Sequence, residues 1–144
     1  MRVTRLALNN FRSYKNLELE FAPGPTTFIG NNGSGKTNIA ESLIYLAYLS
    51  SHRVSTNQPL LSLGSDQAII RAEIERDNRT LQVDLEINAS KANRARLNSN
   101  PVKSQREILG ALQIVYFSPE DLDLVRGEPT RSEEHTSELQ SLTT

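Results

Sequence analysis

The stretch Gly30-Asn31-Asn32-Gly33-Ser34-Gly35-Lys36-Thr37 sets the expected architecture of this chain, because it matches the phosphate-loop pattern G-x-x-x-x-G-K-[ST] at every defined position. Before it, residues 26–29 form a short β-prone run, and after it residues 38–47 are largely apolar and contain neither Gly nor Pro. A strand, a glycine-rich loop and a helix in this order are the context in which the pattern binds a polyphosphate.

The chemistry of a triphosphate explains why these residue types are needed at this spacing. Glycines let consecutive backbone N–H groups turn inward around an anion, and a helix that begins near Lys36 adds unpaired N–H groups and a positive dipole end. Lys36 can reach the β- and γ-phosphates, and the Thr37 hydroxyl suits Mg²⁺. The predicted site therefore comprises residues 30–37 and Asn38, with ATP and Mg²⁺ as ligands. The alternative is a glycine-rich turn with Lys36 simply solvated.

Composition and length describe one soluble domain. The 144 residues are 37% hydrophobic and 23% charged, with a formal net charge of −1, and one domain is the usual count for this length. No Cys is present, which excludes disulfides and thiolate metal sites. The N-terminus lacks the apolar core of a secretory signal, and no stretch approaches the roughly 20 apolar residues of a membrane span. We therefore expect a cytoplasmic protein without membrane association.

Apolar periodicity predicts the remaining elements. Two segments that alternate apolar and polar residues, 68–74 and 81–87, flank the break at 76–79 and predict an antiparallel hairpin. The other predicted elements are strands at 3–8, 17–21, 94–97 and 113–117, a short helix at 104–112, and a helix that starts at Ser118. The predicted fold is an α/β P-loop NTPase with a mixed sheet that contains an antiparallel β-hairpin.

Four segments together resemble the amino-terminal part of the proteins of the RecF family. The members of this family are DNA replication and recombination-repair ATPases. The phosphate loop alone is shared by many ATPases, whereas the last of the four segments is far more selective. The segments are Leu8-Asn9-Asn10-Phe11-Arg12-Ser13-Tyr14, residues 28–38, Ser51-His52-Arg53, and Tyr116-Phe117-Ser118-Pro119-Glu120-Asp121-Leu122 with Leu124-Val125-Arg126-Gly127.

The resemblance implies an ABC/SMC-like head lobe that dimerises on ATP. It also implies binding to single-stranded and gapped DNA, RecO and RecR type mediators as partners, support of recombinase loading and a place in the SOS response. Arg12 and Ser13 match positions beside the nucleotide in such heads, and Arg53 matches a basic position facing the γ-phosphate. From the residues themselves, Arg12 could equally be a solvated strand-end charge and Arg53 a loop charge.

The chain departs from the family in what it lacks. Hydrolysis needs an acid-ended strand for Mg²⁺ and a base that orients water, and we find neither these nor a signature segment here. Residues 132–144 resemble a translated sequencing-library adaptor. We therefore expect residues 1–131 to be the amino-terminal part of an ATPase domain, truncated before its hydrolytic segments, and residues 132–144 to be a non-native tail.

A basic segment is the best candidate for DNA contacts. It is rich in Lys, Arg and Asn and has no acid, which suits contacts to phosphate and sugar, although a solvated loop is an equally simple interpretation. Its residues are Asn88, Lys91, Asn93, Arg94, Arg96, Asn98, Asn100, Lys103 and Arg106. A small-molecule or nucleotide kinase with the same loop, and an inactive fragment, stay open as alternative functions.

Overall fold

A computed structural model describes residues 1–118 and residue 121. It divides into two compact units, Met1–Ile114 and a second that begins at Val115. The first unit contains one sheet of order β2-β1-β3-β4-β5-β6 in which every pairing is antiparallel. The elements are β1 Arg2–Phe11, β2 Tyr14–Glu20, α1 Lys36–Tyr48, a 3₁₀ turn Gln58–Leu60, β3 Gln67–Arg76, β4 Arg79–Asn88, β5 Arg94–Leu97, β6 Asn100–Pro101 and a 3₁₀ turn Gln105–Ile108.

The hairpin predicted from alternation is confirmed as β3 and β4. Asp77 and Asn78 connect the strands, and both have positive φ (51° and 61°), which is the two-residue turn that matches the twist of paired strands. Strict alternation puts Ala72 opposite Val83, both fully buried. One face of the sheet is therefore apolar, and the other carries the charged residues.

The predicted helix after the glycine loop is confirmed as α1. Its apolar side chains join those of β1, β3 and β4 in one core. Leu60 and Leu61, at the 3₁₀ turn that follows the helix, are also buried there, whereas Leu63 is fully exposed. Glu41 is the one acid among the buried residues of α1.

Two predicted strands are wrong. Residues 26–29 and 113–117 form no strand, because neither segment is paired with another strand in the sheet of the described residues, and an isolated strand leaves its backbone unpaired. Their apolar side chains are accordingly exposed, at 92% for Ile29, 85% for Val115 and 82% for Phe117. Every pairing in the sheet of the described residues is antiparallel, so the parallel pairing of the predicted mixed sheet is not observed there.

The helix predicted at 104–112 is also corrected, to a single 3₁₀ turn. Ser104 caps this turn through Arg106 N, and the chain is extended again at Leu109. Gly110 then has a φ of 89°, a conformation that ends helical structure.

In the second unit, the backbone N–H and Oγ of Ser118 both donate to Asp121 Oδ2, at 2.8 and 2.9 Å. In a capping box, the side chain of the third helical residue accepts a hydrogen bond from the backbone N–H of the N-cap residue, as Asp121 does here from Ser118. The remainder of the predicted helix lies outside the described residues.

No helix in the described ranges, 1–118 and 121, has the length and apolar character to span a bilayer.

Candidate nucleotide-binding site

The phosphate loop enters α1 with its amides available. Gly33 and Gly35 have positive φ (84° and 97°), and Gly35 is the N-cap of α1 without a side-chain cap. The amides of Gly33, Gly35, Lys36 and Thr37 donate no hydrogen bond to another residue of the described ranges. Such N–H groups, together with the helix dipole, favour an anion.

The side chains around the loop explain two of its glycines. A Cβ on Gly35 would lie 2.6 Å from Tyr14 Oη and 3.0 Å from Ser13 Oγ, so β2 packs directly against the loop backbone. A Cβ on Gly30 would lie 2.8 Å from Ser34 Oγ. Glycine is therefore required at residue 35 for both its conformation and its close contact, and Tyr14 is a loop-supporting residue that sequence reasoning missed.

The Lys36 ammonium lies within the loop. It donates a hydrogen bond to the Gly30 carbonyl, and no carboxylate of the described residues pairs with it. A single neutral acceptor leaves the ammonium able to move to a phosphate oxygen, since a carbonyl binds a cation less strongly than an anion does.

A cavity of about 550 Å³ opens beside the loop. Nine of the predicted site residues line it, and Gly30, Asn31 and Ser34 do not; the carbonyls of Gly30 and Asn31 instead accept hydrogen bonds within the loop. The predicted residues that line the cavity are Arg12, Ser13, Asn32, Gly33, Gly35, Lys36, Thr37, Asn38 and Arg53.

The cavity also has an apolar wall that sequence reasoning did not assign to the site. Pro59, Leu61 and Leu63 form it, and Leu63 presents its whole side chain to solvent. Because Leu61 pairs with Phe11 in an isolated bridge, the end of β1 fixes this wall beside Arg12.

Arg12 is not a solvated strand-end charge, since its side chain is only 17% exposed. Its Nε and Nη2 atoms donate to Glu41 Oε1 and Oε2 at 2.7 and 2.9 Å, in a bidentate ion pair. Its backbone has a φ of 52°, an uncommon conformation for a side chain of this size. The backbone is held there because Arg12 N donates to Leu60 O at 2.8 Å and Ser62 Oγ donates to Arg12 O at 2.8 Å.

Arg53 reaches the same carboxylate and also the start of α1. Its Nη1 lies 2.9 Å from Asn38 Oδ1 and 3.3 Å from Glu41 Oε1. Asn38 Nδ2 in turn donates to Ser13 Oγ at 3.1 Å. Residues 12, 13, 38 and 53, which are far apart in the sequence, therefore meet in one hydrogen-bonded network along the cavity.

Glu41 is the residue that joins this network, and its side chain is fully buried. Burial alone would raise the pKa of its carboxyl, but hydrogen bonds from Arg12 and Ser51 and the charges of Arg12 and Arg53 outweigh it and lower the pKa. Glu41 was not predicted as a site residue. The available signal was its position as the single acid in residues 38–47, since an acid in a helix that is apolar nearly all round must be buried with a partner.

Four of the nine residues of the basic segment have contacts or strand neighbours that argue against a role at DNA. Asn88 and Asn93 bond to each other and to neighbouring backbone, and Asn93 also donates to the buried Tyr45 hydroxyl. Arg94 and Arg96 lie opposite Glu86 and Asp84 on β4. The two asparagines are therefore structural, and acids adjoin the arginines.

Comparisons with known proteins give consistent results. A family model described as an AAA domain matches residues 5–138. A protein named DNA replication and repair protein RecF from Kineococcus radiotolerans is 51% identical over 96% of this chain and 36% of its own length. The protein of that name from a Nocardioides species is 50% identical over 90% of this chain and 31% of its own. The chain thus spans about a third of the length of the curated relatives it matches.

Solved structures agree on the fold. The structure of the recombination mediator protein RecF-ATP in the RecFOR pathway aligns with a TM-score of 0.78 at 27% identity, covering 97% of this chain and 39% of that chain. A structure of SMC ATPases aligns with a TM-score of 0.73 at 19% identity and covers 98% of that chain, which shows a shared fold. The AAA match includes residues 132–138, which lie outside the described residues, so the division at residue 131 stays a prediction.

Proposed function

The chain belongs to the AAA domain family, among its RecF proteins, and on that premise we propose that its phosphate loop binds ATP. The observation that carries the proposal is that one cavity is lined by Lys36 and by residues whose four main-chain amides have no hydrogen-bond partner in the described ranges. Main-chain donors at a helix start bind phosphate oxygens without reorganisation, and Lys36 adds a mobile charge. A RecF structure with ATP shares this fold over 97% of the chain.

Mg²⁺ is proposed to accompany the nucleotide through Thr37. Thr37 lines the cavity, and its hydroxyl forms no hydrogen bond in the described ranges, so its oxygen is available as a ligand. A hard cation that keeps several waters needs few protein ligands of this kind. When bound, the ion neutralises charge on the β- and γ-phosphates.

The wider role that we propose is DNA replication and repair in the cytoplasm. The complete protein would dimerise on ATP, bind single-stranded and gapped DNA, act with RecO and RecR type mediators in recombinase loading, and support the SOS response. The support for this role is the sequence identity of 50–51% to RecF proteins over at least 90% of this chain. The chain itself supplies the nucleotide-binding lobe of this activity.

Calorimetric titration of ATP with Mg²⁺ into the chain tests the nucleotide proposal. We expect saturable binding that Lys36→Ala weakens by at least roughly a hundredfold, because a charged donor to phosphate is lost. Lys15→Ala is the matched control, since Lys15 is exposed on β2 and outside the cavity. Equal affinity of the Lys36 variant and the unaltered chain would refute the site, and transfer of phosphate to an acceptor other than water would favour a kinase.

The DNA proposal needs its own measurement. Single-stranded, duplex and gapped oligonucleotides of equal length are titrated with and without ATP, at two salt concentrations because phosphate contacts weaken with salt. A preference for gapped DNA that requires ATP supports the proposal. Equal, ATP-independent binding to all three would remove the DNA role from this lobe.

A further inference from the structure

We propose that Glu41 is a positioning residue, whose buried carboxylate holds the guanidinium groups of Arg12 and Arg53 at the polyphosphate cavity. The proposal rests on the ATP binding proposed above and assigns a further residue to the same site. Glu41 does not line the cavity, so it acts only through the two arginines. Its position on α1, one turn after Thr37, ties their placement to the phosphate loop.

Each oxygen of the Glu41 carboxylate accepts two hydrogen bonds. Oε1 accepts from Arg12 Nε at 2.7 Å and from Arg53 Nη1 at 3.3 Å, and Oε2 accepts from Arg12 Nη2 at 2.9 Å and from Ser51 Oγ at 2.7 Å. A buried charge persists only where its oxygens are satisfied in this way. The geometry fixes Arg12 in a plane, because a bidentate pair defines the orientation of a guanidinium as well as its distance.

The ion pair with Glu41 uses only one edge of the Arg12 guanidinium. A guanidinium has five N–H donors, and Glu41 accepts from Nε and Nη2 of Arg12. The donors of Nη1 make no hydrogen bond within the described part of the chain, and Arg12 lines the cavity. Glu41 therefore holds one edge of the group and leaves the other available to phosphate oxygens.

The Glu41 carboxylate also balances the charges of the two arginines. Arg12 and Arg53 would repel each other if both approached the cavity without a counter-charge. One carboxylate between them removes most of this repulsion and still leaves one net positive charge at the cavity that Lys36 also lines. Binding energy then need not be used to order two long side chains when the nucleotide arrives.

The sign of the effect separates positioning from simple proximity. A negative charge near the polyphosphate repels it. If Glu41 acted only through its charge, Glu41→Gln would therefore strengthen ATP binding. A positioning residue predicts the opposite. We expect roughly tenfold weaker ATP binding for Glu41→Gln, because the ion pair that orients Arg12 is lost.

A double-mutant cycle tests the proposal in the full chain by calorimetric titration of ATP with Mg²⁺. Glu41→Gln, Arg12→Ala and the double variant are compared with the unaltered chain. Because Glu41 contacts both arginines, Glu41→Gln should weaken ATP binding less in the Arg12→Ala background than in the unaltered chain, and the loss that remains there is exerted through Arg53. Unchanged or tighter binding by Glu41→Gln, or effects of the two substitutions that multiply, would overturn the proposal.

Controls separate this outcome from failure of the proposed function and from misfolding. Glu18→Gln removes an exposed acid, 71% accessible and paired with Arg5 outside the cavity, and should leave ATP binding unchanged. Absence of binding by the unaltered chain defeats both proposals, whereas binding that depends on Lys36 but not on Glu41 defeats only this one. If circular dichroism shows that Glu41→Gln is unfolded, Glu41→Asp replaces it in the cycle. We expect Glu41→Asp to bind ATP about threefold more weakly, because the shortened side chain cannot keep both bonds to Arg12. An ATP affinity equal to that of the unaltered chain would then refute the positioning role.

Discussion

The two sides of the candidate nucleotide pocket are held in place by different kinds of interaction. Residues 30–37 offer main-chain amides whose directions follow from local backbone conformation. The facing side consists of Arg12 and Arg53, which are placed by a buried carboxylate from a third segment. The first side depends on residues adjacent in sequence, and the second on contacts between distant ones. A substitution should therefore affect the first side through backbone strain and the second through an unpaired charge.

The largest effect is expected from Gly35→Ala, which acts on the main-chain side. Residue 35 has a φ of 97°, and an added Cβ would lie 2.6 Å from Tyr14 Oη. Strain and overpacking together should lower the free energy of unfolding by about 3 kcal/mol and abolish ATP binding. Urea unfolding and ATP titration measure both quantities.

Gly33→Ala is the matched control for that prediction. Gly33 also has positive φ, at 84°, but nothing lies within 4 Å of its Cβ position, so the cost should be only about 1 kcal/mol of strain. Equal losses for the two variants would show that the contact with Tyr14 does not constrain the loop.

The second effect, on the charged side, is expected from Arg12→Ala. Removing the bidentate partner leaves the fully buried Glu41 with only Arg53 and Ser51, which should cost about 2–3 kcal/mol in unfolding free energy. Arg71→Ala is the comparison, because Arg71 forms an ion pair with Asp84 at 3.0 Å but is 49% exposed, and such pairs contribute under about 1 kcal/mol. Similar losses in urea unfolding would mean that burial of Glu41 adds nothing to the Arg12 pair.

This contrast also explains how far the sequence predicts the molecule. The loop, α1 and the β3–β4 hairpin were predicted because each has a local signal: a motif, an apolar helix, or strict alternation around a turn. The strands predicted at 26–29 and 113–117 carry the same local signal. They do not form because a strand also needs a neighbour, which no local pattern supplies.

The site divides in the same way. Residues of the glycine loop follow from their own pattern, whereas Arg12, Ser13 and Arg53 were assigned only by family resemblance. Their shared partner, Glu41, escaped both routes because its role appears only when residues 12, 41, 51 and 53 meet. The exposure of Leu63 at the cavity was likewise unpredictable, since its neighbours Leu60 and Leu61 are buried.

The third expected effect is a pH dependence of the free energy of unfolding that comes from the Glu41 carboxylate. The pKa of Glu41 is lowered in the fold, so the unfolded chain binds the proton more readily. The stabilisation from the charged form is therefore complete above the ordinary glutamate pKa of about 4.3 and is lost as pH falls through the lower folded pKa. Denaturant unfolding from pH 6 to pH 3 should show the stability gap between the unaltered chain and Glu41→Gln narrowing in acid. A gap that stays constant would mean that the pKa of Glu41 is not lowered in the fold.

The smallest effect is expected at Ser51, which supports the carboxylate without a charge. Its Oγ donates to Glu41 Oε2 at 2.7 Å and accepts from Arg53 N at 2.9 Å. Ser51→Ala should cost about 1 kcal/mol in unfolding free energy, as for a single neutral donor, whereas Ser50→Ala, at an exposed neighbouring position, should cost almost nothing. Because Arg12 keeps both of its bonds to Glu41 in Ser51→Ala, ATP affinity should change less than twofold. A larger loss of affinity would place the turn at residues 51–53, and not the Arg12 pair, in control of the charged side.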